Sequence, residues 1–296
     1  MRKSNGNFIK SPLNYIGGKY KILNQIISLF PHNINYFVDL FAGGGNVGLN
    51  VSAKKIILND NLVYLIDFYR ELKQKCKYSI IKRINNRIKQ YDLSLTNEEG
   101  YKALRTHYNK TKKPLDLFIL AAYSFNHQIR FNSGHEFNNP FGKERSCFNP
   151  SMEYNLKAFI DRLQNRNVEL YSNNFNDFNL SFLRADDFVY CDPPYLISTG
   201  TYNDGKRGFT GWNEQEELAL LNKLDNLDQR GVRFALSNVL EHKGRKNKLL
   251  EHWLRHNKNY QINVITNDYS NANYQTKIRN KQSTREVLIT NYIPVF

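Results

Sequence analysis

The segment Asp192-Pro193-Pro194-Tyr195 carries the most chemical information in this chain. It directly follows the apolar run 188–191, which we interpret as a short buried strand. Two consecutive prolines fix the backbone and remove two N–H donors. The segment therefore offers acceptors, namely the Asp192 carboxylate and the Pro193 carbonyl, with the flat ring of Tyr195 beside them.

Such an array suits an amino nitrogen whose lone pair is delocalised into a ring, as in adenine. Two acceptors that hold both N–H bonds favour a pyramidal nitrogen with a localised lone pair, which can attack the methyl group of a sulfonium in line. This chemistry depends on positioning and electrostatics, without a covalent enzyme intermediate. Tyr195 is expected to stack on a base swung out of a duplex. The alternative is a turn that only ends the strand and has no catalytic role.

The cysteines of the chain do not indicate chemistry. Cys191 lies within the apolar run and has no evident activating partner, so we predict a buried structural thiol. Cys76, Cys147 and Cys191 are far apart and lack CxxC spacing. This pattern argues against a disulfide framework or a zinc site, and it favours a reducing cytoplasm. No metal is expected.

A second feature is a glycine-rich turn at residues 42–46, which follows a predicted strand at 36–41. Ligands of open α/β sheets bind at the carboxyl ends of such strands. Asp60 ends the next predicted strand, where its carboxylate can accept hydrogen bonds from ribose hydroxyls. The spacing departs from GxGxxG and no Walker lysine occurs, which argues against NAD and ATP. A purely structural glycine turn remains the alternative.

The elements that must position these groups follow from hydrophobic periodicity. The predicted strands lie at 36–41, 55–58, 168–171, 188–191, 232–236, 262–265 and 287–289. The predicted helices lie at 47–53, 62–75, 115–122, 156–163, 214–227 and 248–254. This alternation predicts an α/β fold, a Rossmann-like doubly wound sheet.

The stretch at residues 78–150 differs from both flanks, because it is more polar, basic and helical. We predict that it is an inserted, mainly helical domain. Residues 1–77 and 151–296 would then form the ligand-binding and catalytic domain.

Composition limits the classes of function. The 296 residues carry a formal net charge of +15, and 41% of them are hydrophobic. A basic chain of this kind favours a polyanionic partner, because Lys and Arg release counterions when they neutralise phosphates. Biased codon usage is the alternative source of the lysine excess. No run of 18 apolar residues occurs and the first residues lack an apolar core, so we expect neither a membrane span nor secretion.

Five segments together resemble the Dam-like amino-methyltransferases that modify adenine in DNA. They are residues 11–21 with a Gly-Gly-Lys element, 41–46, 59–60, 176–178, and Asp192-Pro193-Pro194-Tyr195. Their order is similar to the α-type arrangement, in which an inserted recognition domain precedes the catalytic tetrad. The resemblance extends to about Leu236 and weakens beyond.

The resemblance implies S-adenosyl-L-methionine as the methyl donor and assigns residues to it. The methionine end would be held by Tyr15, Gly17, Gly18 and Lys19, with Lys19 near its carboxylate. The pocket would be lined by Phe41, Gly43 and Gly45. Asp60 would bind the ribose, Asp177 would accept from the adenine amino group of the donor, and Phe178 would pack on that ring.

Residues 125–142 resemble the DNA-reading hairpin of this family. Phe125 and Asn126 would fill the gap left by the flipped base. Arg130 and Asn132 would approach base edges or phosphates, since Arg commonly reads guanine and Asn adenine. Many relatives carry Gly where this chain has His127, which leaves the local backbone open.

The tail departs from Dam and is more similar to restriction-modification methyltransferases. Residues 243–248 form a basic loop and residues 269–285 a polar, basic segment. Either could contact DNA or be solvated surface. The implied partners are double-stranded DNA and a cognate restriction endonuclease, and the departure puts the GATC site of Dam in doubt.

Two other functions stay open. The first is a methyltransferase that acts on RNA or on a protein glutamine. Such enzymes usually show Asn-Pro-Pro-Tyr, so Asp192 argues against it. The second is a catalytically silent DNA-binding protein with the same fold, against which the intact tetrad, glycine turn and Asp60 argue.

Overall fold

The computed structural model describes residues 8–197, 211–266 and 284–294. Within them lies a central sheet with the strand order β3-β2-β1-β4-β5-β8-β7, and β6 pairs with β5 off this path. Strands β1 to β5 are parallel, whereas β8 is antiparallel to both β5 and β7. The strands are β1 Tyr36–Asp39, β2 Lys55–Asn59, β3 Val168–Tyr171, β4 Phe188–Cys191, β5 Arg233–His242, β6 Arg245–Lys246, β7 Gln261–Ile265 and β8 Thr284–Thr290.

Asparagine side chains cap the N-termini of several helices. Asn97, Asn149, Asn213 and Asn247 each accept a backbone N–H of the first helical turn, which satisfies a donor that has no partner within the helix. The helices are α1 Leu23–Ile27, α2 Val63–Gln74, α3 Lys77–Gln90, α4 Glu98–Thr111, α5 Pro114–Tyr123, α6 Pro150–Gln164, α7 Glu214–Gln229 and α8 Lys248–His256.

Both faces of the sheet are covered. Successive strand residues point to opposite faces, and accordingly Phe37 and Val38 belong to two different hydrophobic clusters. Helices α7 and α8 supply the helical residues of one cluster, and α1 to α6 supply those of the other. The predicted doubly wound α/β fold is therefore confirmed.

The stretch 78–150 is helical, as predicted, but its core is continuous with that of the flanking chain. All residues of α5 after Pro114 are buried, and the ring of Phe118 stacks on Phe68 of α2 with centroids 5.4 Å apart. Arg87 of α3 holds the buried Asp116 carboxylate through two hydrogen bonds. The division into an inserted domain at 78–150 and a catalytic domain at 1–77 and 151–296 stays a prediction.

The predicted helix at 47–53 is wrong. These residues form a series of turns, with isolated bonds from Leu49 N–H to the Gly45 carbonyl and from Val51 N–H to the Val47 carbonyl. The Asn46 carbonyl accepts from the Asn50 side chain at 2.7 Å, and such side-chain bonds compete with helical backbone bonds. Strand β5 runs on to His242, beyond the predicted 232–236, because β8 pairs antiparallel along its length. No helix in the described ranges combines the length and apolar character needed to cross a membrane.

Candidate active site

The two central strands place the glycine turn and the tetrad side by side. Asp39, the last residue of β1, is in register with Tyr190 of β4. The segments that leave both strands therefore start at the same carboxyl edge. The strand order reverses between β1 and β4, and ligands of open α/β sheets bind in the crevice at such a switch point.

The Asp192 carboxylate is held through one of its oxygens. The Tyr195 hydroxyl donates to Oδ1 over 2.9 Å, and the Lys19 ammonium lies 2.9 Å from the same atom. Within the described ranges Oδ2 has no hydrogen-bond partner, and 17% of the Asp192 side chain is exposed. One oxygen is thus fixed while the other can accept from a ligand. Pro193 is buried and Pro194 is exposed.

Lys19 reaches this carboxylate from the Gly-Gly-Lys element. Its ammonium also donates to the Gly17 carbonyl at 3.0 Å and lies 5.1 Å from the centroid of the Tyr195 ring. The nearby Glu286 Oε1 of β8 is 3.6 Å away. The predicted contact of Lys19 with the carboxylate of the donor stays a prediction, and in this structure Lys19 forms an ion pair with Asp192.

Burial and charge act in opposite directions on Asp192. Burial raises the pKa of its carboxyl, the Lys19 ammonium lowers this pKa, and the Glu286 charge raises it further. The net result is a pKa above the ordinary value. Lys19 therefore limits the protonation that burial alone would favour.

The glycine turn approaches Tyr15 so closely that it leaves no room for a side chain. A Cβ on Gly43 would lie 2.9 Å from a Tyr15 ring carbon, and Gly43 has φ +45°, which favours glycine. The Gly43 N–H donates to Asp60 Oδ2 at 2.8 Å, and its carbonyl accepts from the Tyr69 hydroxyl at 2.7 Å. The N–H and the carbonyl of Gly43 are thus both held by side chains of the protein.

The other predicted glycines also lie in this loop system. Gly17 has φ +79° and Gly45 has φ +71°, while a Cβ on Gly18 would be 3.1 Å from the Tyr15 carbonyl oxygen. Gly18 and Gly43 thus both lie against Tyr15, whereas Gly45 lies against the ring of Phe159.

Asp39 is a site residue that sequence reasoning missed. Its side chain is buried, Oδ2 accepts from the Gly48 N–H at 3.0 Å, and Oδ1 has no partner within the described residues. Burial, reinforced by the charges of Asp192 and Asp60, raises the pKa of Asp39 to about 8. Its position at the end of a buried strand, directly before the glycine turn, was the signal available in the sequence.

Comparison with known proteins agrees with this geometry. The family model of the D12 class N6 adenine-specific DNA methyltransferases matches residues 15–271. The chain belongs to this family. The match continues past Leu236, where we had expected the resemblance to weaken.

Individual relatives in this methyltransferase family cover nearly the whole chain. The type II methyltransferase M.FokI of Planomicrobium okeanokoites is 52% identical over 97% of this chain and 43% of its own length. The modification methylase StsI of Streptococcus sanguinis is 50% identical over 98% of this chain and 44% of its own length. The DNA adenine methylase of Escherichia coli K12 is 28% identical, with 93% and 94% covered. The chain spans less than half the length of the first two relatives.

The residues predicted to line the adenine pocket of the donor lie near a group of aromatic rings, and their role stays a prediction. Phe178 is buried and packs edge-on against Tyr171, and Asp177 is exposed. Three other rings face one another beyond the strand ends, with centroids 5.3 to 5.7 Å apart: Phe41, Phe175 and Trp212. Phe41 was expected here, whereas Phe175 and Trp212 were missed because aromatic residues in loops give no periodic signal.

The segment 125–142 is a compact loop with isolated bridges at Ser124–Phe141 and Phe131–Phe137. Asn126 and His127 both have left-handed backbones, with φ +55° and +53°. This conformation explains why glycine suits the position of His127, whose ring nitrogen lies 2.9 Å from the Ala122 carbonyl oxygen. Phe125 is 44% exposed, which leaves its ring accessible.

The two residues predicted to read DNA differ in their surroundings. The Asn132 Oδ1 accepts from the N–H groups of Gly134 and Glu136, and its Nδ2 donates to the Glu136 side chain. These bonds hold the Asn132 side chain within its own turn, and its predicted contact with DNA stays a prediction. Arg130 is half-buried, and its Nε has no partner in the described part of the chain.

The basic tail is only partly described. Residues 243–246 form an exposed turn that contains β6, whereas Asn247 is buried and donates to Glu217 at 3.1 Å. Of the predicted basic segment 269–285, residues 269–283 lie outside the described residues.

Proposed function

We propose that the chain transfers a methyl group from S-adenosyl-L-methionine to the N6 amino group of a flipped adenine in double-stranded DNA. The carrying observation is the Asp192 carboxylate at the switch point, with Oδ1 fixed by Lys19 and Tyr195 and Oδ2 available to accept. Membership of the D12 class supports the adenine target.

The residues at the strand edge fit the proposed donor. The buried Asp39 Oδ1 is an acceptor without a partner among the described residues, and it suits an ammonium or hydroxyl group of the donor. The close packing of Gly43 under Tyr15 places the glycine turn beside the N-terminal element that is proposed to hold the methionine end of the donor. When bound, the donor supplies an electrophilic methyl group on sulfur.

Each residue of the tetrad has a proposed task in the transfer. Asp192 Oδ2 accepts one amino N–H, and the Pro193 carbonyl accepts the other, so that the nitrogen lone pair is directed toward the methyl group. Tyr195 stacks on the flipped base, with its hydroxyl within hydrogen-bond distance of Asp192. Asp192 also receives the proton that the nitrogen releases after the new bond forms, a role that its raised pKa supports.

The proposed DNA contacts involve the loop 125–142 and the basic surface. Asn14 lies next to Tyr15 and donates to the Asn126 carbonyl at 2.9 Å, so the donor-binding element and the recognition loop are in contact. The net charge of +15 supports a polyanionic partner. The names of the relatives, a type II methyltransferase and a modification methylase, support a restriction-modification role. We extend the proposal to a cognate endonuclease and to action in the cytoplasm.

The experiment that tests the proposal measures methyl transfer from labelled S-adenosyl-L-methionine to unmethylated genomic DNA, RNA and protein, with the modified group identified. N6-methyladenine in one short DNA motif is the expected result, and the motif gives the recognition site. Labelling of RNA or of a protein glutamine would show that the substrate is RNA or protein and that the proposed DNA substrate is wrong. Donor and DNA binding without transfer to any of the three would favour a silent DNA-binding protein.

A further inference from the structure

Glu286 is a charged group of the active site that no sequence motif indicated. It lies on β8, between β5 and β7, and only 3% of its side chain is exposed. Its Oε1 accepts from the Tyr195 hydroxyl at 3.1 Å and lies 3.6 Å from the Lys19 ammonium. Glu286 thus contacts both groups that hold the catalytic carboxylate.

The Tyr195 hydroxyl has a single proton to share between two carboxylates. It lies 2.9 Å from Asp192 Oδ1 and 3.1 Å from Glu286 Oε1, and it can donate to only one of them at a time. When it donates to Glu286, the Asp192 carboxylate loses one donor, and its Oδ2 becomes a stronger acceptor for a ligand. Glu286 therefore provides an alternative acceptor within the site.

The charges of Lys19, Asp192 and Glu286 also indicate a role for Glu286 in the transfer. Glu286 adds a second carboxylate beside the ion pair of Lys19 and Asp192. During transfer the nitrogen lone pair forms the new N–C bond, and the C–S bond breaks with its electron pair left on sulfur. The positive charge moves from sulfur to nitrogen until the proton leaves. The added carboxylate of Glu286, which is buried, favours that positive charge.

We propose that Glu286 is a positioning residue for methyl transfer, which shares Lys19 and the Tyr195 hydroxyl with Asp192 and adds a negative charge beside them. This inference rests on the proposed function. It assigns to β8 a role in the reaction that neither the tetrad nor the glycine turn includes.

The groups around Asp192 determine what a pH profile will report. Lys19 and Glu286 face it from the N-terminal element and β8, Asp39 from β1, and Tyr190 and Tyr195 from its own side of the sheet. The residue before Asp192 is Cys191, whose thiol is buried. Because the Glu286 charge raises the pKa of Asp192, its removal should move the acidic limb of kcat/KM to lower pH.

The test compares Glu286→Gln and Glu286→Asp with wild type in the DNA methylation assay. A matched control is Glu169→Gln, because Glu169 also accepts from a lysine and a tyrosine, Lys55 and Tyr171, but lies on β3 away from Asp192. We expect Glu286→Gln to lower kcat by at least about tenfold, as loss of an electrostatic group in an active site does. Its acidic limb should shift to lower pH, and Glu169→Gln should leave both unchanged.

A second readout is binding without turnover. The donor carries a sulfonium charge that its thioether product lacks, so the Glu286 carboxylate should favour the donor. We expect the ratio of donor affinity to product affinity to fall severalfold in Glu286→Gln. Glu286→Asp keeps the charge but shortens the side chain, so it should retain this ratio while kcat falls.

The possible outcomes separate the two proposals. An active wild type with unchanged kcat, pH profile and affinity ratio in Glu286→Gln would overturn the role of Glu286 and leave the proposed function intact. An inactive wild type would overturn the proposed function instead. If Glu286→Gln does not fold, an unchanged kcat in Glu286→Asp would overturn the positioning role.

Discussion

The backbone N–H of Gly43 donates to Asp60 Oδ2 over 2.8 Å, so the carboxylate that ends β2 holds the glycine turn that follows β1. The other oxygen of Asp60 accepts from the Leu62 N–H at 2.9 Å, at the start of α2. Asp60 therefore shapes the pocket in addition to its proposed contact with ribose.

We predict that Asp60→Ala lowers both stability and donor affinity. Two backbone donors would lose their acceptor in a buried place, and each such loss costs about 1–3 kcal/mol. Urea denaturation would measure the stability, and calorimetric titration the donor affinity. Asp67→Ala is the control, because among the described residues the partly exposed Asp67 carboxylate pairs with Arg70 alone, and its loss should change stability by less than about 0.5 kcal/mol. Wild-type stability in Asp60→Ala would contradict the structural role.

Asp192→Ala should abolish methyl transfer while donor binding stays largely intact. The variant removes the acceptor for the amino N–H and the recipient of the proton, but it leaves the glycine turn and Asp39 in place. Transfer of labelled methyl groups and donor titration would be measured on the same preparations. Full activity in Asp192→Ala would refute the proposed mechanism.

Asp39 should make stability depend on pH. Its pKa is raised from 3.8 to about 8 in the folded protein, so the folded state holds a proton there that the unfolded state has already lost. Stability from this group is therefore present at low pH and is lost as the pH rises from about 4 to about 8. Asp39→Asn cannot titrate but keeps an acceptor for the Gly48 N–H. Its stability relative to wild type should increase across this window.

The measurement is urea denaturation of wild type and Asp39→Asn at several pH values. Subtracting the two curves removes the contribution of other groups, such as Asp60 and Asp192. A stability difference that does not change with pH would contradict the prediction. The variant should also bind the donor more weakly, because Oδ1 is proposed to accept from it.

Arg130→Ala should weaken binding to the recognition site and relax its specificity at one base pair. A side chain that reads a base edge contributes about 1–3 kcal/mol of discrimination. Binding would be measured on the cognate site and on single-base variants of it. Arg255→Ala, an exposed change on α8, is the control. Equal weakening on every DNA would indicate a phosphate contact in place of base reading.

Much of the site was determined by short stretches of sequence. The tetrad after β4 and the glycine turn after β1 could be placed because a buried strand followed by proline or glycine is a local signal. The tetrad and the glycine turn lie at the same edge of the sheet, as a doubly wound fold with parallel strands requires. Cys191 was predicted to be buried, and the structure confirms it.

Only the tertiary structure decided which charged groups meet. Lys19, Asp192 and Glu286 come from the two ends of the chain and from its middle, and no periodicity links them. The assignment of Asn132 to its own turn likewise depends on a backbone path that side-chain type alone did not predict. Local sequence thus determined the strands, turns and reactive residue types, whereas the strand order and the folding of β8 against β5 determined the partners and hence the electrostatics of the site.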